Sequence, residues 1–475
     1  MFLDAPPIRP TAPTERPSID AAARACPKDA RRVLFISYPF PPVGGAGVQR
    51  TTKFVKYLPH WGWMPSVLTV ANPSVPAWDH SLVKDVPAEV TVRRARTYEP
   101  SYATKAGVTG KSESAGNGQA KRGGAKALAS AMVHRIAKLV LQPDPQILWL
   151  PHAIREGRKL LDQIPHAAIV ASGPPFSTFL IGASLAQHSG LPLILDYRDE
   201  WDISNSYWEN KKLDRFSLLL QQRMQYGVVR AASALVATTR HSADALARVR
   251  DRAKSRARAT WIYNGYDSED FETIEPPATP KPTYRLSYVG TLWNLTSTEP
   301  LVAAIELLAS RTPDVAARLE VVFAGRRTPQ QSQILARLKS LPCRLVEHPY
   351  LDHDGAMELV QSSDGLCALL SDLPGAARVV PAKIFEYMAA RRAIIAIGPT
   401  GEMWDLLRDC PAARLNTPSD IEGIARTLTN EIERVGAGRP LEGAPWDASA
   451  YDRRNEARQL SELLNTLAPT AGGKH

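Results

Sequence analysis

A glycine-rich loop near the start of the chain has the composition of an anion-binding site. It contains Gly44 and Gly45, follows the apolar run 33–37 and precedes a helix-length segment that includes Arg50. Glycines let the backbone approach a phosphate, and the free N–H groups at a helix N-terminus point toward such an anion. The loop therefore predicts a site for a phosphate-bearing ligand, to which Gly44, Gly45 and Arg50 contribute.

The same loop departs from the dinucleotide-binding fingerprint. G-x-G-x-x-G beginning at Gly45 requires a sixth-position glycine, which here is Arg50, and no acid follows the second apolar run at 68–72. Nicotinamide and flavin enzymes are therefore disfavoured, and no cofactor is expected.

Lys383 and Glu386 form a second candidate group. They lie one helical turn apart in a predicted helix over 383–390, so they share one face. A lysine can supply a point charge to the diphosphate leaving group of a transfer reaction, and a carboxylate can accept hydroxyl groups of a ribose. The alternative interpretation is a surface ion pair of little energetic consequence.

A third group follows the apolar run 193–196. Arg198 and Asp199 come just after this predicted strand, and ligands of open α/β sheets bind at the carboxyl ends of strands. Asp199 could position or deprotonate an acceptor hydroxyl. An Arg–Asp pair that only shapes the loop is the open alternative.

Metal chemistry is not expected. Asp352-His353-Asp354 matches the D-x-D pattern of cation sites, but Asp354 precedes a predicted helix over 355–361 and is better explained as its N-cap. The four cysteines contain no C-x-x-C pair, which disfavours a zinc site or a disulfide framework.

The elements that must position these groups alternate between short apolar runs and helix-length segments. This alternation predicts βαβ units and parallel sheets. Four prolines within 275–282 interrupt it, and the pattern then restarts. We predict an α/β protein with two facing Rossmann-like domains and a cleft between them. The predicted parts are a flexible arm at 1–30, a first Rossmann-like domain at 31–275 with a flexible insert at 105–124, a second Rossmann-like domain at 283–440, and a bracing tail at 441–475.

Composition and charge limit the kinds of partner and the location that we expect for the protein. With 44% apolar and 22% charged residues, the 475-residue chain is globular, and its 58 basic against 48 acidic residues give a net charge of +10. No apolar run is long enough to span a bilayer, and 1–30 lacks the pattern of a secretory signal, so a cytoplasmic location is expected. No nucleic-acid module is recognisable, and no nucleic-acid partner is expected.

Residues 101–140 add one further possibility. They carry seven Lys/Arg against one acid, and 125–141 has apolar residues four apart. Such a segment predicts contact with an anionic membrane surface, peripheral on the inner face of the cytoplasmic membrane. An ordinary surface helix is the alternative.

Six short blocks together resemble family 4 glycosyltransferases of the GT-B fold, in the branch found in bacterial surface-polysaccharide assembly. The blocks lie at 37–50, 172–177, 196–201, 263–267, 288–291 and 381–389. The resemblance implies transfer of a sugar, with retention, from a nucleotide-diphosphate donor in the second domain to a saccharide or lipid-linked acceptor in the first. It also implies contacts of Gly290 and Tyr350 with the donor.

The chain departs from that family in two places. The first of two glutamates eight residues apart is replaced by Arg378, a candidate phosphate ligand. The arginine expected after Gly290 is missing, and Arg326 or Arg327 is the candidate to replace its charge. These departures leave two alternatives open: a non-catalytic scaffold of the same fold and a nucleotide-sugar epimerase.

Overall fold

A computed structural model describes residues 30–100, 141–207, 214–271, 281–443 and 446–468. The predicted arm (up to residue 29), the insert at 105–124, the basic stretch up to residue 140 and most of the proline-rich linker lie outside these residues.

Two entirely parallel sheets organise the chain. The first has the order β3-β2-β1-β4-β5-β6-β7 and the second β10-β9-β8-β11-β12-β13. The strands are β1 (Arg31–Ile36), β2 (Trp63–Val70), β3 (Thr91–Ala95), β4 (Ala168–Gly173), β5 (Leu193–Tyr197), β6 (Ala234–Ala237), β7 (Arg258–Trp261), β8 (Tyr284–Val289), β9 (Leu319–Ala324), β10 (Arg344–His348), β11 (Gly365–Leu369), β12 (Ala393–Ile397) and β13 (Ala413–Asn416). We call the first sheet with its helices the first domain, and the second sheet with its helices the second domain.

Helices cover both faces of each sheet. They are α1 (Ala46–Tyr57), α2 (Leu150–Gln163), α3 (Ser177–Ser189), α4 (Trp201–Tyr207), α5 (Arg215–Ala231), α6 (Arg240–Arg252), α7 (Glu299–Arg311), α8 (Pro313–Ala316), α9 (Pro329–Ala336), α10 (His353–Ser362), α11 (Lys383–Ala389), α12 (Glu402–Leu407), α13 (Ile421–Gly436) and α14 (Arg453–Leu467). None of these helices is long and apolar enough to cross a bilayer.

The apolar runs form central strands because both of their faces are buried. In β1, Leu34 and Ile36 pack into one hydrophobic cluster, whereas Val33 and Phe35 pack into another on the opposite face. This is the pattern of a parallel strand covered by helices on both sides. The predicted α/β class with two parallel sheets is confirmed.

Three strands were not predicted from the sequence. β3, β7 and β13 lie at sheet edges and are short and polar, with arginine in each of them. An edge strand pairs on one side only, so charged side chains reach water and the apolar run that marks a central strand is absent.

The strand order marks the candidate ligand-binding edge of each sheet. In each sheet the order reverses beside the first strand, between β1 and β4 and between β8 and β11. Ligands of doubly wound sheets bind outside the carboxyl ends of strands at this point. The glycine loop follows β1 and Gly290 follows β8, so both lie at these switch points.

The last helix returns to the first domain. Leu460 and Leu464 of α14 are buried in the same cluster as Phe54 of α1. The two crossing segments also pair, since the Tyr266 N–H donates to the Tyr451 carbonyl at 3.0 Å. The chain thus crosses between the domains twice, side by side.

Carboxylates of each domain cap a helix of the other. Glu402, at the start of α12 in the second domain, accepts the backbone N–H groups of Arg240 and His241 at 3.0 and 2.9 Å, at the start of α6 in the first domain. It also accepts the Tyr263 hydroxyl and is only 3% exposed. A buried acid at a helix N-terminus complements the helix dipole and satisfies N–H groups that have no acceptor within the helix.

The reciprocal contact comes from the first domain. Asp79 accepts the backbone N–H of His353, the first residue of α10, at 2.9 Å. A bidentate ion pair adds to these contacts, with Arg378 donating to both oxygens of Glu200 at 2.8 Å. Polar contacts of buried groups therefore hold the carboxyl edges of the two sheets against each other.

We predict that Glu402→Ala lowers the free energy of unfolding by about 2 kcal/mol, because several donors lose a charged acceptor. The matched control is Glu422→Ala, whose carboxylate pairs with Arg311 on the surface. This control should lose no more than about 1 kcal/mol. Urea unfolding of both variants measures the difference, and equal losses would contradict the capping role of Glu402.

Candidate active site

Lys383 lies at the carboxyl end of β8. Its ammonium nitrogen sits 3.5 Å from the centre of the Tyr288 ring and 2.7 Å from where a Cβ on Gly290 would be. Gly290 has a φ of 139°, so both its conformation and this close approach favour glycine. Within the described residues Lys383 has no ion-pair partner. Burial lowers the pKa of Lys383 to about 7, against the opposing effect of Glu386.

Glu386 lies one turn along α11, and its carboxylate has no hydrogen-bond partner among the residues that the structure describes. Burial raises the pKa of Glu386, while His353 and Arg453 act in the opposite direction. Lys383 and Glu386 are thus two partly desolvated ionisable groups whose charged atoms have no ion-pair or hydrogen-bond partner in the described part of the chain. Such groups are candidates for ligand binding.

Arg326 supplies a further cation nearby. It follows Gly325, where an added Cβ would lie 2.2 Å from the Gly290 carbonyl oxygen, so the loops after β8 and β9 are in close contact. The neighbouring Arg327 is engaged with Glu347 at 2.8 Å. Of these two arginines, Arg326 is the one without an ion-pair partner in the described part of the chain.

The glycine loop faces this group from the first domain. The Gly45 N–H donates to the Tyr350 hydroxyl at 3.1 Å, and a Cβ on Gly44 would lie 2.6 Å from the same oxygen. Burial raises the pKa of Tyr350, and the charge of Arg326 opposes this. Tyr350 therefore bridges the two walls of the cleft beside Arg326, with its hydroxyl on the amide that we predicted to bind phosphate.

Arg50 lies beneath the site rather than in it. It is 2% exposed and pairs with Asp196 at 3.0 Å, while also donating to the Tyr263 carbonyl at 3.1 Å. Its guanidinium thus ties α1 to the end of β5 and to the first crossing segment. A buried pair of this kind commits both charges to the protein.

Arg198 and Asp199 have separate roles in the structure. Arg198 donates to the carbonyl groups of Gly47 and Pro174, so it clamps the start of α1 to the loop after β4. Asp199 is exposed to the cleft and has no hydrogen-bond partner within the described ranges. Protein on the walls around it desolvates the carboxylate, which raises the pKa of Asp199 against the effect of Arg198.

Arg378 is held by the first domain. Its bidentate pair with Glu200 turns the guanidinium toward α6, and its carbonyl accepts the Thr239 hydroxyl at 2.7 Å. Phosphate binding by Arg378 would have to compete with Glu200.

The D-x-D pattern is a helix cap, although the capping residue differs from the one we predicted. Asp352, not Asp354, is the N-cap, and it accepts the Gly355 N–H at 2.9 Å. The helix begins two residues earlier than expected, and Asp354 instead pairs with Lys84 on the surface. Across the described ranges no group of three His, Cys, Asp or Glu side chains is placed to hold a metal ion.

His353 was not singled out from the sequence. Its ring contacts Asp270 at 2.8 Å and Gln49 at 3.2 Å, so it joins the two domains below Glu386. Burial opposes the charged form, yet the hydrogen bond and charge of Asp270 raise the pKa of His353.

Glu402 was not predicted from the sequence either. Its position after a Gly-Pro-Thr-Gly loop that follows a buried strand was the available signal.

The arrangement can bind a diphosphate and hydroxyl groups on one wall and hold an acceptor hydroxyl near Asp199 on the other. Lys383, Arg326 and backbone N–H groups supply positive charge and donors where a leaving diphosphate would gain negative charge. Glu386 can accept hydroxyl groups.

Comparisons with known proteins agree with this arrangement. Residues 114–270 match the sequence model of Glycosyltransferase Family 4. No curated protein matches the chain.

Three solved structures illustrate what this chain is similar to. Anabaena HepE in complex with UDP-glucose has a TM-score of 0.55 at 14% identity, over 92% of this chain and 100% of that chain. WaaG, a glycosyltransferase involved in lipopolysaccharide biosynthesis, has a TM-score of 0.51 at 11% identity, over 93% of this chain and 100% of that chain. The α,α-trehalose 6-phosphate synthase of Burkholderia multivorans has a TM-score of 0.53 at 11% identity, over 92% of this chain and 99% of that chain.

At such low identity these likenesses show the fold, while the family match rests on the sequence of the first domain. Together they confirm the predicted resemblance of this chain to family 4 glycosyltransferases of the GT-B fold, and with it the prediction of a glycosyltransferase.

Proposed function

We propose that the protein transfers a sugar from a nucleotide-diphosphate donor, bound on the second domain, to an acceptor held against the first domain. The observation that carries this proposal is the pair Lys383 and Glu386. Both groups are partly desolvated at the carboxyl end of β8. Within the described ranges the Lys383 ammonium contacts the Tyr288 ring but has no ion-pair partner, and the Glu386 carboxylate has no hydrogen-bond partner. A diphosphate and a ribose would satisfy both.

The donor contacts follow from the positions of the remaining groups. Arg326 and Lys383 flank Gly290 and would hold the diphosphate by charge. Glu386 would accept the ribose hydroxyls, and the Tyr350 ring lies where a base could stack once its hydroxyl leaves Gly45. Two of the similar structures, HepE with UDP-glucose and with UDP and glucose, hold uridine nucleotides. This supports a uridine diphosphate sugar as the first donor to test.

The acceptor is proposed to be a saccharide. The more specific proposal is a lipid-linked saccharide in surface-polysaccharide synthesis. Asp199 would orient its reacting hydroxyl. Transfer with retention is the stereochemical outcome that the family resemblance implies.

The structure favours the transferase over the epimerase alternative. An epimerase acting by elimination needs acid and base carboxylates in the first domain, where Asp196, Asp199 and Asp202 lie close together in sequence. Asp196 is committed to Arg50 and Ser172 at 3.0 and 2.9 Å. Asp202 also interacts with other residues of the protein. Asp199 is exposed, and its carboxylate has no hydrogen-bond partner in the described part of the chain.

Calorimetric titration with UDP, GDP, ADP and dTDP tests the donor site. We expect one nucleotide to bind and its affinity to fall at least about tenfold in Glu386→Ala, since two hydrogen bonds to a charged group are lost. Glu433→Ala, which removes an exposed acid from α13, is the matched control and should bind like wild type. If no nucleotide binds to the folded wild type, the scaffold alternative gains and the transferase proposal fails.

Nucleotide binding should also depend on pH through Lys383. With a pKa of about 7, this amine is largely neutral in the free protein above pH 7. A bound diphosphate favours the ammonium form, so binding takes up a proton and affinity falls as pH rises from 7 to 9, by up to about tenfold per unit. Phosphate groups are already ionised in this range and do not cause the fall.

Titrations in buffers of different ionisation enthalpy measure that proton uptake. Lys383→Met should bind more weakly at pH 7 and lose the dependence. An unchanged pH profile in Lys383→Met would show that another group is responsible.

A further inference from the structure

The Tyr350 side chain reaches from the second domain to the first. Its residue lies in the loop after β10, where the Pro349 carbonyl accepts the Gly325 N–H at 3.1 Å. The Arg326 carbonyl in turn accepts the Leu292 N–H at 2.8 Å. The loops after β10, β9 and β8 thus stand side by side, as their strands do in the sheet. The backbone of Tyr350 is therefore anchored to the wall that carries Arg326.

The far end of this side chain occupies the glycine loop. The Gly45 N–H donates to the Tyr350 hydroxyl at 3.1 Å, and no other residue that the structure describes is hydrogen-bonded to that hydroxyl. The neighbouring Gly44 N–H is committed to the Ala77 carbonyl at 3.0 Å. Of the two amides that the sequence assigns to a phosphate, the Gly45 amide is therefore the one that movement of a side chain can free.

The surroundings of the Tyr350 hydroxyl favour its exchange for an anion. An N–H group bonds a charged phosphate oxygen about twice as strongly as a neutral hydroxyl oxygen. The charge of Arg326 lies close enough to act on the hydroxyl. Asp79 and Asp352 carry the opposing charge there, but each is committed to backbone N–H groups at the start of α10. A diphosphate that reaches this amide therefore gains a charge-assisted hydrogen bond and a nearby cation.

The Tyr350 side chain can leave this position without separating the domains. The His353 N–H donates to Asp79 at 2.9 Å, and the His353 ring contacts Gln49 at 3.2 Å. These contacts join the same two walls and do not involve Tyr350. Rotation about two side-chain torsions is enough to move the phenol away from Gly45. The hydroxyl contact is therefore reversible within one arrangement of the domains.

We propose that Tyr350 is a gate that determines which anions bind at the glycine loop. In the structure its hydroxyl takes the position that a phosphate oxygen needs on the Gly45 amide. A nucleoside diphosphate displaces the hydroxyl, and the released ring stacks on the base, which offsets the lost hydrogen bond. Phosphate and pyrophosphate have no base, so they displace the hydroxyl without that compensation. The nucleotide part rests on the proposed function, whereas the competition for the Gly45 amide does not.

Calorimetric titration of the full chain with pyrophosphate and with UDP, GDP, ADP and dTDP tests the gate. Tyr350→Phe keeps the ring and removes the competing hydroxyl. We expect its affinity for pyrophosphate and for the nucleotide that binds to rise about fivefold, the effect of one neutral hydrogen bond. Tyr350→Ala also removes the ring. Its affinity for pyrophosphate should rise equally, while its affinity for the nucleotide rises less or falls.

Tyr226→Phe is the matched control. The Tyr226 hydroxyl accepts a hydrogen bond from Gln222 at 3.0 Å on the exposed surface of α5. The control removes one hydroxyl from a tyrosine, as Tyr350→Phe does, and should bind every ligand like wild type. A merely structural contact of Tyr350 predicts weaker folding in Tyr350→Phe and no gain of affinity.

The remaining outcomes separate the gate from the proposed function. Unchanged or weaker binding of pyrophosphate and nucleotide by Tyr350→Phe would overturn the gate. Equal gains for both kinds of ligand in Tyr350→Ala would overturn the discrimination by the ring. If no nucleotide binds but Tyr350→Phe raises the affinity for pyrophosphate, the transferase proposal fails and the competition at Gly45 stands. If neither kind of ligand binds to wild type or to the variants, both proposals fail.

Discussion

The structure depends on one arrangement: acidic side chains of each domain cap the N-terminus of a helix in the other. Glu402 reaches α6 from the second domain, and Asp79 reaches α10 from the first. Helix N-termini carry N–H groups without acceptors, and these contacts join the domains at the edge where both sheets end. The cleft is therefore defined by backbone groups of both domains.

Charges in the cleft divide into two sets because of this arrangement. Arg50, Asp196, Glu200 and Arg378 are paired within the protein and shape the walls. Lys383, Glu386 and Asp199 have charged atoms without an ion-pair or hydrogen-bond partner in the described part of the chain. Keeping partly desolvated charges unpaired costs stability, and such costs are typical of functional sites. We therefore propose that the second set binds the ligand.

The central strands and part of the candidate site could be predicted from the sequence. Central strands are recognisable as apolar runs because both of their faces are buried. The spacing of Lys383 and Glu386 is enough to place them on one face of a helix. Edge strands such as β7 carry no such signal. The partners of Arg50 and Glu402 lie 146 and about 160 positions away in sequence, and only the fold brings them together. The sequence therefore predicted that Arg50 binds a ligand, whereas in the structure its side chain is buried.

Amide hydrogen exchange with and without UDP, GDP, ADP and dTDP tests the central claim most directly. The account predicts that one nucleotide slows exchange both in α11, which carries Lys383 and Glu386, and in the glycine loop at Gly44 and Gly45. Protection on both walls would place the donor between the domains. Slowed exchange elsewhere, with α11 unchanged by every nucleotide, would contradict the assignment of the site.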